Sequence, residues 1–251
     1  MKIKRILVLF IACIAYGVFD KTLSAEPNNL HEAVRSGNLE YVKAHHKKGA
    51  NLNVKDATGF TPLHIAVEND SLDILKYLLE SKAKVDTKNR RDRTPLHLAI
   101  RENSSIELIT VLLKHKADVN AKSLGDSPLH NAIDKNRIDL VRLLLKYKAD
   151  VNAKTNYTRA TPLYAAIDGN SSIELITVLL KHKADVNAKT KIERTPLWEA
   201  IDKNRIDLVR LLLKYKADVN GKGPSGWSPL KKALFDGRTE IANLLRKNGA
   251  R

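Results

Sequence analysis

The stretch "NSSIELITVLLKHKADVNAK" occurs twice in this chain, at Asn103–Lys122 and at Asn170–Lys189. A second stretch, "IDKNRIDLVRLLLKYKADVN", also occurs twice, at Ile133–Asn152 and at Ile201–Asn220. In both stretches apolar residues recur at i, i+3 and i+4, which predicts an amphipathic helix followed by the extended segment "ADVN". Because the two blocks alternate along the chain, we infer that a pair of structural units was duplicated.

A shorter motif sets the period of the repeat. "TPLH" begins at Thr61 and again at Thr94, and related motifs follow at spacings of 33 or 34 residues. These are "SPLH" at Ser127, "TPLY" at Thr161, "TPLW" at Thr195 and "SPLK" at Ser228. A Thr or Ser side chain caps a helix, and proline fits the first helical position, where its missing N–H has no partner. Each unit therefore contains a first helix that begins at this proline and a second helix that carries the apolar stripe.

These units resemble the ankyrin repeat family, because each has T/S-P-L-x-x-A, then a "LL" helix, then "ADVNAK" or a variant. The resemblance covers about residues 28–251. It implies an all-α solenoid of stacked helix-turn-helix units with hairpin-like turns, and about seven repeats including degenerate caps. A first copy, "LHEAVRSGNLEYVKAHHKKGANLN", starts at Leu30 and lacks the Thr-Pro pair.

The repeat gives a domain organisation. We predict a signal peptide at 1–25, a degenerate N-terminal capping repeat at 28–58, and six ankyrin repeats at 59–251. The six are expected to start near residues 59, 92, 125, 159, 193 and 226, and the last forms the C-terminal cap. One repeat cannot bury its apolar face alone, so stacked neighbours must supply the core and polar end units must close it.

The residues at the ends of the helices indicate a left-handed backbone. First helices are expected to end at residue types that tolerate this conformation, namely Gly37, Asp70, Asn103, Asn136, Asn170, Asn204 and Gly237. After the second helix the family usually has glycine, but here lysine stands at Lys82, Lys116, Lys148, Lys183 and Lys216. Either these lysines adopt a left-handed backbone at a cost of about 1 kcal/mol each, or another turn closes the helix.

The N-terminal segment has the pattern of a secretory signal. Lys2, Lys4 and Arg5 precede an apolar stretch at residues 6–19, and "LSA" at 23–25 suits a cleavage site. We therefore expect an exported protein, secreted or periplasmic, and the alternative is a chain anchored by the uncleaved segment. Cys13 is the only cysteine, and "FIAC" matches a lipoprotein attachment site poorly, so the chain beyond this segment has no thiol.

The net charge of +16 would favour binding to three classes of negatively charged partner, namely nucleic acid, an anionic membrane surface and an acidic protein. Lysines in the last turn of the second helices oppose the negative end of the helix dipole, so a solvated row is favoured over an anion-binding ladder. Aromatic residues make up only 5% of the chain, which disfavours nucleic acid because base stacking has few partners. Membrane contact is expected only through the N-terminal segment, if it is not cleaved.

No pattern of catalytic residues stands out. The sequence contains no Gly-rich phosphate loop, no G-x-S-x-G and no H-E-x-x-H. His64, His97 and His130 recur once per repeat, so they lie along a row instead of converging on a metal, and in the family this histidine ties adjacent repeats together. We therefore predict that the protein is not an enzyme and that it requires no cofactor and no metal. We also expect it to be a monomer.

The resemblance implies that a protein partner binds in a concave groove, which is lined by hairpin tips and the exposed face of the first helices. The duplicated copies differ mainly there, through either selection for recognition or drift. We predict contacts from Phe60, Glu68, Arg90, Arg91, Arg93, Arg101, Asp126, Asp134, Tyr157, Arg159, Asp168, Arg194, Trp198, Trp227 and Phe235. The turn "NRRDR" at 89–93 favours an acidic partner segment, and a solvated turn is the alternative.

The family analogy suggests an exported bacterial protein that acts on host proteins. The alternative is a structural or periplasmic binding protein that acts within the producing cell, and cell fractionation separates the two.

Overall fold

The computed structural model describes residues 29–251, and the predicted signal peptide lies outside them. These residues form seven helix pairs, here called repeats 1 to 7, and one short 3-10 turn at Pro224–Gly226. The helices are α1 Leu30–Arg35, α2 Leu39–Lys47, α3 Pro62–Glu68, α4 Leu72–Glu80, α5 Pro95–Arg101, α6 Ile106–Lys114, α7 Pro128–Asp134, α8 Ile138–Lys146, α9 Pro162–Asp168, α10 Ile173–Lys181, α11 Pro196–Asp202, α12 Ile206–Lys214, α13 Pro229–Phe235 and α14 Thr239–Lys247. The predicted all-α solenoid is confirmed.

The repeated Thr/Ser-Pro motif starts the first helix of repeats 2 to 7, as predicted. The Thr94 side chain accepts a hydrogen bond from the backbone N–H of His97, and proline occupies the first helical position. Ser127 caps α7 through the N–H of His130 in the same way. In repeats 3 to 7, one capping side chain and one proline dihedral thus fix where the first helix begins.

The core runs along the whole array between the two layers of helices. Each first helix contributes a fully buried alanine, for example Ala66, Ala132 and Ala200, where neighbouring helices approach. The second helices contribute larger leucines, such as Leu112 and Leu179. First helices therefore pack more closely against one another than second helices do, and the stack curves toward the first-helix side.

The predicted left-handed residues are present at both helix ends. The seven residues that follow the first helices have φ between +50° and +70°. The five lysines that replace the family's glycine have φ between +64° and +67°, so the left-handed alternative is correct and no other turn closes these helices. Each lysine therefore stores backbone strain of about 1 kcal/mol.

Hairpin turns join successive repeats, and each is closed by a backbone N···O hydrogen bond. The pairs are Asp56–Phe60, Asn89–Arg93, Ser123–Asp126, Thr190–Arg194 and Gly223–Trp227 at 2.9 Å, and Thr155–Ala160 at 3.0 Å. Asparagines of the "ADVN" segments tie the turns together. For example, the Asn152 Oδ1 accepts from the Asp185 N–H at 2.7 Å, and Asn187 accepts from Asp218 at 2.8 Å. The hairpin turns therefore form a continuous row, joined by hydrogen bonds, beside the first helices.

Among residues 29–251, no helix combines the length and the apolar character that a membrane span needs.

A candidate protein-binding groove

The concave surface consists of the hairpin turns and the solvent-facing side of the first helices. Hairpin turns carry nine of the predicted contact residues, namely Phe60, Arg90, Arg91, Arg93, Asp126, Tyr157, Arg159, Arg194 and Trp227. First helices carry the other six, namely Glu68, Arg101, Asp134, Asp168, Trp198 and Phe235. The structure gathers most of them in three sections, which differ in charge and in shape, but Arg159 and Arg194 line none of the three.

The arginine section lies between repeats 1 and 3 and encloses about 600 Å³. Arg90, Arg91, Arg93 and Arg101 line it, together with Arg35, Phe60 and Glu68. The pKa of Arg93 is lowered by partial burial and by the neighbouring positive charges of Arg101 and Arg91. Burial is the larger cause, and the contribution of Arg101 and Arg91 reflects guanidinium groups that share one space.

The acidic section lies between repeats 4 and 5 and encloses about 370 Å³. Asp126, Asp134 and Asp168 stand along it, and Tyr157, Tyr164, Ala165 and Ile192 provide apolar surface. Partial burial raises the pKa of the Asp134 carboxyl, and the nearby Asp126 carboxylate raises it further. This section is negative in a chain whose overall charge is strongly positive.

The aromatic section closes the groove at repeat 7. The rings of Trp227 and Phe235 meet edge to face with their centroids 5.0 Å apart, and the Lys231 Nζ lies 4.5 Å from the Trp227 ring centroid. Phe235 is 76% exposed, whereas Trp198 is 5% exposed and packs under the last hairpin. Trp227 and Phe235 are therefore available to a partner, while most of the Trp198 ring is not.

A buried polar network separates the acidic and aromatic sections. Tyr164 Oη donates to Glu199 Oε2 at 2.7 Å, and Arg194 Nη1 donates to the same oxygen at 3.1 Å. The Asp202 carboxylate accepts a hydrogen bond from Lys232, which lowers the pKa of Asp202. Arg194, predicted as a partner contact, thus already neutralises an internal carboxylate.

Two histidines of the row, His64 and His130, tie neighbouring repeats together, as the resemblance implied, whereas the buried Nε2 of His97 has no hydrogen-bond partner among the described residues. His64 donates from Nε2 to the Arg93 carbonyl at 3.0 Å, and its Nδ1 accepts from the Thr61 N–H at 3.2 Å. His130 contacts the Ala160 carbonyl at 3.2 Å. Burial lowers the pKa of His64 to about 4. Within residues 29–251 no three His, Cys, Asp or Glu side chains are grouped to hold a metal.

Several groove residues were not predicted from the sequence. Leu124 and Ile192 are each 62% exposed at hairpin tips, and Ile192 lines the same cavity as the predicted Tyr157. Their signal was present in the sequence, as single apolar residues inside otherwise polar turns. Glu199 and Lys232 carried no such signal, because their roles depend on partners in other repeats.

Comparisons with known proteins agree with this architecture. The profile described as "Ankyrin repeats (3 copies)" matches residues 9–89, 30–123, 86–155, 121–190 and 163–251. The ankyrin repeat domain of Bcl-3, a unique member of the IκB protein family, aligns with a TM-score of 0.80 and 28% identity, and 89% of this chain and all of that chain are covered. The human ASB11 ankyrin repeat domain aligns with a TM-score of 0.68 and 25% identity, over 88% of this chain and 98% of that one.

A curated mouse relative, protein phosphatase 1 regulatory subunit 27, is 62% identical over 34 residues. The match covers 14% of this chain and 22% of the mouse protein, so the chain spans about a fifth of that relative's length. Because the profile covers nearly the whole chain, the protein belongs to the ankyrin repeat family. Its repeats form a generic protein–protein interaction module.

Proposed function

We propose that this protein is a non-catalytic, monomeric binding module that holds a partner protein in its concave groove. The observation that carries the proposal is the cluster of Arg90, Arg91 and Arg93 on one hairpin. Three guanidinium groups converge there on an open depression, and no ion pair within residues 29–251 engages any of them. The regulatory role in the mouse relative's name is consistent with a module that binds and does not catalyse.

The arginine section favours an acidic segment of the partner. Guanidinium groups bind carboxylates through two parallel hydrogen bonds, and an incoming carboxylate would offset both the burial and the positive neighbours that lower the pKa of Arg93. Phe60 contributes apolar surface at the edge of the same depression. An extended segment with acidic side chains and at least one apolar side chain therefore fits this section.

Crosslinking with mass spectrometry, followed by quantitative pull-down, tests the proposal. Charge reversal of Arg90, Arg91 and Arg93 to Glu is expected to reduce recovery of the crosslinked partner at least tenfold. The matched control reverses Lys114, Lys146 and Lys181, which end second helices outside the groove and give the same change in net charge. Equal recovery by both triple variants would overturn the arginine section as the binding site.

We also propose that the protein is exported and acts on proteins outside the producing cell. The basic and then apolar order of residues 2–19 and the "LSA" at 23–25 support this. N-terminal sequencing of the protein recovered outside the cell is expected to begin at Glu26. Recovery of the unprocessed chain in the membrane fraction would favour the anchored alternative, and processed protein held only in the periplasm would favour a role inside the producing cell.

A further inference from the structure

The cavity of the acidic section lies beside a first helix that has a small residue at the middle of its concave face. Ala165 occupies the middle position of α9, where the next repeat has Glu199 and the one after has Lys232. Gly169 follows one turn later and donates its N–H to the Ala165 carbonyl at 2.8 Å. With no larger side chain on this face, the space between the neighbouring hairpins stays open.

A comparison between repeats shows that this cavity lacks a cation. Lys203 directly follows α11 and reaches back to the Asp168 carboxylate of the preceding repeat, with 3.4 Å between Nζ and Oδ1. The equivalent carboxylate one repeat earlier is Asp134, and the residue in the place of Lys203 is Gly169. Glycine has no side chain to reach back, so Asp134 is left without the partner that Asp168 has.

The basic side chains around the cavity do not supply the missing positive charge. Within residues 29–251 no lysine or arginine forms an ion pair with Asp134 or Asp126. Lys191 lies on the opposite rim, and its backbone N–H donates to the Thr158 carbonyl. Arg93, Arg101 and Lys135 line a neighbouring depression that shares both carboxylates, but none of the three makes an ion pair with them. His130 also lines the cavity, and burial lowers its pKa. Two carboxylates therefore face the same open space without a bound counter-charge.

The walls of the cavity suit a side chain that is long and cationic. Tyr164 and Ala165 form its floor, and Tyr157 and Ile192 stand at its mouth, where they are 77% and 62% exposed. A guanidinium group stacks on tyrosine rings and pairs with carboxylates in one plane, and its methylene stem packs on apolar surface.

We propose that this cavity binds an arginine side chain of the partner protein, with Asp134 and Asp126 as its counter-charges and with apolar neighbours of that arginine against Tyr157 and Ile192. The inference rests on the groove proposed above as the binding surface. It adds a second recognition site of opposite charge to the arginine section. The two sites together select a partner segment that carries an acidic part and an arginine beside apolar residues.

The test uses the full chain and defined probes. Fluorescein-labelled octapeptides carry a central arginine with leucine, alanine or serine neighbours, and each has a matched form with the neutral isostere citrulline. Fluorescence anisotropy is expected to show at least one arginine peptide that binds tenfold or more tightly than its citrulline form. Because the chain is strongly basic, non-specific attraction would favour the opposite order.

Two substitutions at one position control for folding. Gly169→Lys copies the arrangement of Lys203 and should supply the missing cation internally, so it is expected to lower the affinity of the arginine peptide tenfold. Gly169→Ala should leave the affinity unchanged. Gly169 has φ of −76°, so both variants keep an ordinary backbone. No preference for arginine over citrulline in any pair, or equal binding by the lysine and alanine variants, would overturn the inference.

The same assay separates this inference from the proposed function. A glutamate-rich peptide could bind through Arg90, Arg91 and Arg93 while no arginine peptide binds more tightly than its citrulline form. That result would support the groove as the binding surface and would exclude the arginine pocket. An arginine preference that survives reversal of those three arginines would support the pocket on its own evidence. If neither the glutamate-rich peptide nor the arginine peptides bind, and no crosslinked partner is recovered, the groove is excluded as the binding surface as well.

Discussion

Tyr164 of repeat 5 donates a hydrogen bond to the Glu199 carboxylate of repeat 6, with 2.7 Å between the two oxygens. Tyr164 stands where His64 and His130 stand in earlier repeats, and those histidines contact a backbone carbonyl of the next repeat instead. The same register position therefore joins neighbouring repeats through two different chemistries. Burial raises the pKa of Tyr164, and the bond to Glu199 raises it further, so the hydroxyl remains a donor at neutral pH.

Removal of this hydroxyl should destabilise the array. Glu199 is 2% exposed, and a hydrogen bond to a buried charge contributes about 1.5 to 3 kcal/mol. We expect Tyr164→Phe to lower the free energy of unfolding by about 2 kcal/mol, measured by urea denaturation. Tyr157→Phe is the matched control, because Tyr157 is exposed, and it should change stability by less than about 0.5 kcal/mol. Similar effects of the two variants would contradict this role of Tyr164.

His64 should make the fold sensitive to acid. Its pKa is about 4 in the folded chain and about 6.5 in an unfolded one, because burial disfavours the charged ring. Protonation would also place a hydrogen on Nδ1, which faces the Thr61 N–H. A lowered folded pKa means that this stability is complete above about pH 6.5 and is lost as the pH falls toward 4. The difference of pKa corresponds to about 3 kcal/mol.

Urea denaturation at several pH values between 7.5 and 4 measures this effect. We expect wild-type stability to fall more steeply than that of His64→Gln, since only the wild type must take up this proton on unfolding. Leu124→Gln is the control, because Leu124 is 62% exposed and carries no titratable group, and its curve should parallel that of the wild type. Parallel curves for His64→Gln and the wild type would show that His64 is not the source.

The sequence predicts local features of this fold better than it predicts the groove. Helix starts, left-handed residues and the repeat length each depend on a few neighbouring residues, so a repeated motif reveals them. Trp198 was expected to contact a partner, but it is almost fully buried because it occupies the histidine register between repeats. Whether Asp134 is paired depends on residue 169 of the next repeat, 35 positions away. Such relationships become visible only when the repeats are stacked.

The left-handed lysines store strain that a single substitution can release. Lys116 has φ of +64°, and glycine adopts this conformation without the steric cost that a Cβ brings. We expect Lys116→Gly to raise the free energy of unfolding by about 1 kcal/mol. The control is Lys114→Gly, two residues earlier at the end of α6, which should lower stability by up to about 1 kcal/mol. Destabilisation by both variants would mean that Lys116 contributes contacts worth more than its strain.

Gly223 should be the least replaceable glycine of the last hairpin. A Cβ at this position would collide with Cε3 of the buried Trp198 ring, and the Gly223 N–H also closes the hairpin to the Trp227 carbonyl. Gly223→Ala must therefore displace either the ring or the turn, and we expect a loss of about 1 to 3 kcal/mol. Gly169→Ala is the matched control, since its backbone is also unstrained and its Cβ would meet only the Ala165 carbonyl, at 3.2 Å. That variant should be neutral or slightly stabilising. Near-ultraviolet circular dichroism would detect a displaced Trp198 ring even where the chain remains folded, and an unchanged spectrum with unchanged stability would show that this hairpin does not depend on Gly223.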